Sequence, residues 1–142
     1  MKRIVVVTAG LTVPSSTRLL ADQVAEATST QVGARGESVE MDFVELRELA
    51  GELATFMVTG AIPTPRLTDL RERVSAADGL IAVTPVFNGS YSGLFKMFFD
   101  SLDPSALTGT PVLIGATAGS ARHSLMLDHA MRPLFTLSLI HI

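Results

Sequence analysis

The sequence predicts an α/β fold: one open, doubly wound parallel sheet with helices on both faces, in three layers. Three observations carry it. Short β-branched runs at 4–7, 80–83 and 111–114 are apolar at consecutive positions, as strands covered on both faces require. Between them lie stretches with apolar residues three and four apart, the period of a helix packed on one side. Strand starts recur at roughly 30 to 40 residues, which leaves room for right-handed βαβ crossovers. At 142 residues and 47% apolar side chains the chain can bury one core but not two ordinary domains.

The first strand holds Ile4, Val5, Val6 and Val7 behind Met1, Lys2 and Arg3, an arrangement that imitates a secretory leader. Thr8, Gly10, Thr12 and Pro14 break the apolar run at once and no small-residue cleavage site stands out, so the reading is a strand. Ser15 and Ser16 are good N-caps for a helix over 18–27 that sets Leu20, Val24 and Ala27 on one face, with 33–36 as its stop. The second strand, 39–44, alternates Glu40 and Asp42 with Val39, Met41 and Phe43, which suits a sheet edge with one face in water. The stretch 50–65, with Gly51, Gly60, Pro63 and Pro65, reads as a long loop or a short helix. Leu67, Leu70, Val74 and Ala77 predict the next helix, stopped by Asp78 and Gly79 before the strand at 80–83. The segment 91–102 is apolar nearly all round, with only Lys96 among Leu94, Phe95, Met97, Phe98 and Phe99. After the fourth strand a last helix runs from Ser124 through Leu127, Met131 and Leu134.

Eleven Lys and Arg against fourteen Asp and Glu give a net charge of -3, so no basic field exists to hold nucleic acid or an anionic membrane. No run approaches a transmembrane length. Cysteine is absent, which removes disulfides, thiolate metal sites and Cys nucleophiles together, and makes the cytoplasm the expected compartment. The charged fraction, 18%, is below the usual ~25%; strands buried on both faces account for that, and so does an apolar surface kept for a partner.

In an open parallel sheet, ligands bind outside the carboxyl ends of the strands, so the loops after strands one, three and four are where chemistry is expected. The first, 8–18, concentrates Thr12, Ser15, Ser16 and Thr17 where a helix begins, beside Gly10, and its free backbone N–H groups suit one terminal phosphate with Arg18 as a counter-charge. Capping by Ser15 and Ser16, with Arg18 solvated, is the plainer alternative. The second loop, 84–93, offers Pro85, Val86 and Phe87 as flat apolar contact and Asn88-Gly89 as a turn that lets backbone amides approach a planar ligand. An ordinary Asn-Gly turn is the competing reading. The third, 116–123, is again small and amide-rich, with Thr117, Ala118 and Gly119 before Arg122 and His123. Together the three fit a phosphorylated, planar, partly apolar ligand. His123 has no visibly paired nucleophile or carboxylate, and Asp128 and His129 do not make a metal site with it, so neither a catalytic residue nor a metal is assigned.

These loops resemble the NAD(P)H-dependent FMN reductases of the flavodoxin-like fold, most closely the subgroup partnered with luciferase-like flavin monooxygenases. The resemblance rests on Pro-Ser-Ser-Thr-Arg-Leu-Leu-Ala at 14–21, Ala-Asp-Gly-Leu-Ile-Ala-Val-Thr-Pro-Val-Phe at 77–87, Ser-Gly-Leu-Phe-Lys at 92–96, and most specifically Arg-His-Ser-Leu-Met-Leu-Asp-His-Ala-Met-Arg-Pro-Leu-Phe at 122–135. It implies FMN and NAD(P)H as cofactors, hydride transfer from nicotinamide to flavin, and release of reduced FMN to a monooxygenase. It places the phosphate on Ser15, Ser16, Thr17 and Arg18, the ring system against 85–89, and its pyrimidine edge near 117–119. It further implies a homodimer, to which the apolar segment 91–102 would lend a face, and a sheet order of 2-1-3-4-5. A quinone or azo-compound reductase that keeps its FMN, and a flavodoxin-like electron carrier, are the rival readings.

The sequence departs from that pattern at its end. A fifth strand and closing helix are missing, so 1–136 is expected to be a C-terminally truncated flavodoxin-like domain, its sheet order cut to 2-1-3-4. The last six residues, Leu137 to Ile142, read as a non-native tail, the translation of a transposase library adapter. Poor solubility and weakened FMN affinity are expected consequences.

Overall fold

The computed structural model describes residues 1–60, 62–120 and 125–136. Strands β1 (Lys2–Thr8), β2 (Val39–Glu45) and β3 (Gly79–Phe87) pair in parallel around a central β1, and β5 (Val112–Thr117) pairs in parallel with β3, giving the order β2-β1-β3-β5. This is the predicted 2-1-3-4 sheet, the predicted fourth strand being β5. One strand was not anticipated: β4 (Ser90–Tyr91) folds back antiparallel on the end of β3, Val86 opposite Tyr91 and Phe87 opposite Ser90.

The apolar run in β1 shows why two helical layers form. Val5, Val6 and Val7 are all fully buried, yet successive side chains in a strand point to opposite faces. Val5 and Val7 therefore join the core on one face and Val6 the core on the other. One face is covered by α1 (Ser16–Ala34), whose Ala21 and Ala25 sit close against Val6, Ile81 and Val83. The other carries α2 (Ala50–Thr59), α3 (Pro65–Ala76), α4 (Gly93–Asp100) and, after a π-helical turn at Leu127–Met131, α5 (Arg132–Thr136).

The predicted stop at 33–36 holds: α1 ends at Ala34 and Gly36 takes φ 82°. The ambiguous stretch 50–65 is largely helix, closed by Gly60 as a left-handed C-cap at φ 60°. Thr64 then caps α3, its hydroxyl accepting from the Leu67 amide at 3.2 Å and donating to Glu52, with Pro65 in the first turn.

Strand β2 lies at the sheet edge as predicted, but its two faces are not simply wet and dry. Phe43, expected to turn inward, is 36% exposed, and the Arg18 guanidinium lies 4.4 Å over its ring. Asp42, expected in water, is half-buried and receives Arg73 Nη1 at 2.7 Å on both carboxylate oxygens. An outer strand leaves both faces partly open, and arginines from α1 and α3 close them with their long stems. Burial opposes the charge on Arg73, but Asp42 and Asp69 outweigh it and hold its pKa above the ordinary arginine value.

The predicted apolar helix over 91–102 condenses to α4. Leu94, Phe95 and Phe98 are buried, while Met97 and Phe99 pack half-buried against the same core. Phe99 meets Phe135 edge-on with centroids 5.0 Å apart, and Phe95 meets Phe99 at 4.7 Å. The apolar surplus from which a dimer face was expected is thus taken up largely within the chain. Among the described residues no helix is long and apolar enough to cross a membrane.

Candidate flavin site

All three loops singled out above leave the carboxyl ends of β1, β3 and β5, on one rim of the sheet. The first is tied to its neighbour at once, the Ala9 amide donating to the Val83 carbonyl at 3.0 Å. It then folds back on the helix it precedes. A Cβ added at Gly10 would lie 2.1 Å from Ser15 Oγ and 3.3 Å from the Thr17 Cβ, so only a hydrogen fits there. Thr12 donates to the Pro14 carbonyl at 3.1 Å, and Ser15 Oγ accepts from the Arg18 amide at 3.2 Å as the N-cap of α1. Thr17 is buried at 2% exposure, its hydroxyl 2.9 Å from that of Thr117.

Of the hydroxyls of Thr12, Ser15, Ser16 and Thr17, three are committed internally and that of Ser16 is left exposed. The first turn also leaves the amides of Ser16 and Thr17 without intrahelical partners, and the helix dipole adds to their pull on an anion. Arg18 is placed differently from the counter-charge the sequence suggested. Its guanidinium lies toward β2, 2.8 Å from Asp22 and 3.7 Å from Glu45, at the wall of a cavity of about 340 Å³ that Arg66 and Arg73 also line. Its charge is largely answered by those carboxylates.

The second loop is a hairpin. Asn88 at φ 51° and Gly89 at φ 77° are consecutive left-handed residues, the signature of a two-residue type I′ turn joining β3 to β4. The turn reading holds, and it leaves the residues of the platform reading at the rim, Pro85 and Val86 half-buried and Phe87, Asn88 and Gly89 exposed. Two residues that sequence reasoning passed over fix this hairpin from below. Buried Thr84 donates to the Pro85 carbonyl at 2.8 Å and accepts from the Ser92 amide at 3.0 Å, and Ser92 Oγ caps α4 through the Phe95 amide at 3.2 Å. The available signal was a Ser immediately before Gly93 and an apolar run.

The third loop begins where β5 ends at Thr117, and Ala118 and Gly119 are exposed beyond it. Arg122, His123 and the tail 137–142 lie outside the described residues. Free amides and a hydroxyl at a helix start, exposed apolar and turn residues of the hairpin, and exposed backbone at Ala118 and Gly119 are groups that could hold a phosphorylated planar ligand.

The chain matches the family model described as NADPH-dependent FMN reductase over residues 2–142. It belongs to the NADPH-dependent FMN reductase family. An FMN reductase (NADPH) of Pseudomonas aeruginosa is 37% identical over 136 residues, covering 94% of this chain and 69% of that protein. The NADH-dependent FMN reductase SfnF of Pseudomonas putida is 36% identical over 139 residues, covering 98% and 72%. Among solved structures, an oxidoreductase from Corynebacterium diphtheriae superposes with a TM-score of 0.95 at 51% identity, over 99% of this chain and 76% of that one. A flavodoxin, WrbA-like protein from Agrobacterium tumefaciens shares the flavodoxin-like fold at TM-score 0.63 and 19% identity, over 99% and 74%.

Proposed function

We propose that residues 1–136 form one flavin-binding domain of an NAD(P)H:FMN oxidoreductase that passes reduced FMN to a flavin-dependent monooxygenase. The observation that carries it is the convergence of three loops of matching chemistry on one rim, in a member of the FMN reductase family. Ser15, Ser16, Thr17 and Arg18 form the turn that receives the phosphate, through the amides of Ser16 and Thr17 and the Ser16 hydroxyl. Gly10 gives that turn its closeness. Pro85, Val86, Phe87, Asn88 and Gly89 support the ring system, and the backbone at Thr117, Ala118 and Gly119 borders its polar edge. Bound FMN supplies the hydride acceptor for the nicotinamide. The protein's share is to hold both rings against each other on a rigid hairpin and to keep amide donors beside the edge where negative charge gathers.

Release of reduced FMN to a monooxygenase is supported by the resemblance of 122–135 to reductases of that subgroup. A homodimer is also part of this reading. With α4 largely covered, exposed apolar side chains such as Met57 and Val58 near the end of α2 and Ile62 just beyond it would serve it, and the mass in solution checks it. The function is tested by following the absorbance of reduced NADH and NADPH with purified protein at increasing free FMN. Turnover that scales with free FMN supports flavin supply. Turnover carried by a retained FMN and drained by quinone would make it a quinone or azo reductase. FMN binding without any oxidation of NAD(P)H would make it an electron carrier.

A further inference from the structure

We propose that Thr17 and Thr117 are positioning residues, a buried hydroxyl clamp that sets the phosphate end of the flavin site and so tells FMN from unphosphorylated flavin. This rests on the reading that the FMN phosphate sits at the start of α1. The two residues are one hundred apart in sequence, yet their Oγ1 atoms are 2.9 Å apart. Among the described residues this is the one hydrogen bond between the first turn of α1 and β5.

Thr17 does not present its hydroxyl to solvent: it is 2% exposed, and Gly10 is packed so closely that even a methyl there would come within 3.3 Å of its Cβ. Its hydroxyl therefore acts through the Thr117 contact, and what Thr17 offers an anion is its backbone amide. That amide stays where a phosphate can use it only while the helix start is held against the end of β5. Each hydroxyl has one proton, and the pair consumes one of the two, so removing either hydroxyl strands a largely buried polar group on the other. The ring platform does not depend on this clamp, because Thr84 and Ser92 tie the hairpin to α4 independently. A defect in the clamp is thus a defect at the phosphate end.

The test compares binding of FMN and riboflavin by flavin fluorescence in wild type, Thr117→Val and Thr117→Ser. Thr117→Val keeps the β-branched shape and is expected to weaken FMN binding about tenfold more than it weakens riboflavin binding. Thr117→Ser restores the preference. Should Thr117→Val fail to fold in a thermal melt, Thr117→Ala against Thr117→Ser carries the same comparison. Equal weakening of both flavins, or an unchanged preference, overturns the clamp while leaving the flavin site standing. A wild type that binds neither flavin, or both equally, overturns the phosphate reading itself, and the clamp with it.

Discussion

The two faces of the sheet are built on different scales. Among the described residues, the α1 face is held by Val6, Ala21, Ala25, Ile81 and Val83, whereas the opposite face buries Phe95, Phe98, Phe135 and a run of leucines from α2, α3 and the turns between. Large side chains from four helices sustain one layer and small ones from a single helix the other. In the 19-residue α1 the alanines let the backbone approach the strands closely. On that face β5 is thinly covered, with Leu113 half exposed at 50%. Stability is therefore concentrated on the face away from α1, and the phosphate turn is carried by the thinner layer.

That asymmetry can be broken at chosen points. Phe95→Ala removes the fully buried ring that touches Tyr91, Phe99 and Phe135, and is expected to cost about 3–5 kcal/mol in a denaturant melt. Ser92→Ala, on the same face, takes away a buried helix cap and a long 3.4 Å contact from the Thr84 hydroxyl, while the residue 92 amide still donates to Thr84; about 2 kcal/mol should be lost. On the thin face, Ile81→Val should cost only about 0.5–1.5 kcal/mol, and a loss as large as that of Phe95→Ala would show the two layers to be equal. Ser15→Ala, the matching cap of α1 in a half-buried setting, should cost ~1 kcal/mol or less in the same melt and weaken FMN binding more than it weakens folding.

The smallest effect is a pH dependence. The hydrogen bond from Lys96 to Asp100 at 2.7 Å raises its pKa, burial opposes this, and the charges of Asp100 and Tyr91 add to the rise. A lysine raised on folding contributes stability that is fully present below its unfolded value of ~10.4 and is lost as pH climbs through the higher folded value. Melting temperature should fall over that alkaline window less steeply in Lys96→Met than in wild type.

Much of this architecture was legible because it is local. The valines of β1, the β-branched run of β3 and the Gly36 stop act within a few residues, and the Asn-Gly pair announced its own turn. What was not legible depends on residues far apart. Phe43 obeys the alternation of a strand in sequence but meets Arg18, which no periodicity could place over its ring. The same contact draws the Arg18 charge toward Asp22 and Glu45. The hydroxyls of Ser15 and Thr17 looked like equivalent phosphate ligands; the fold spends each on a different internal partner. Helix α2 was ambiguous because Leu49 gives it no side-chain cap and Gly51 sits in its first turn.

The position of β1 at the centre of a parallel sheet also sets a timetable for synthesis. Its residues Val5 to Val7 pair on one side with 42–44 and on the other with 80–82. A ribosome adding ~5–20 residues per second delivers that second partner roughly 4 to 15 s after the valines emerge. For that interval one of the most apolar strands in the chain has an unpaired side, open to pairing with other strands.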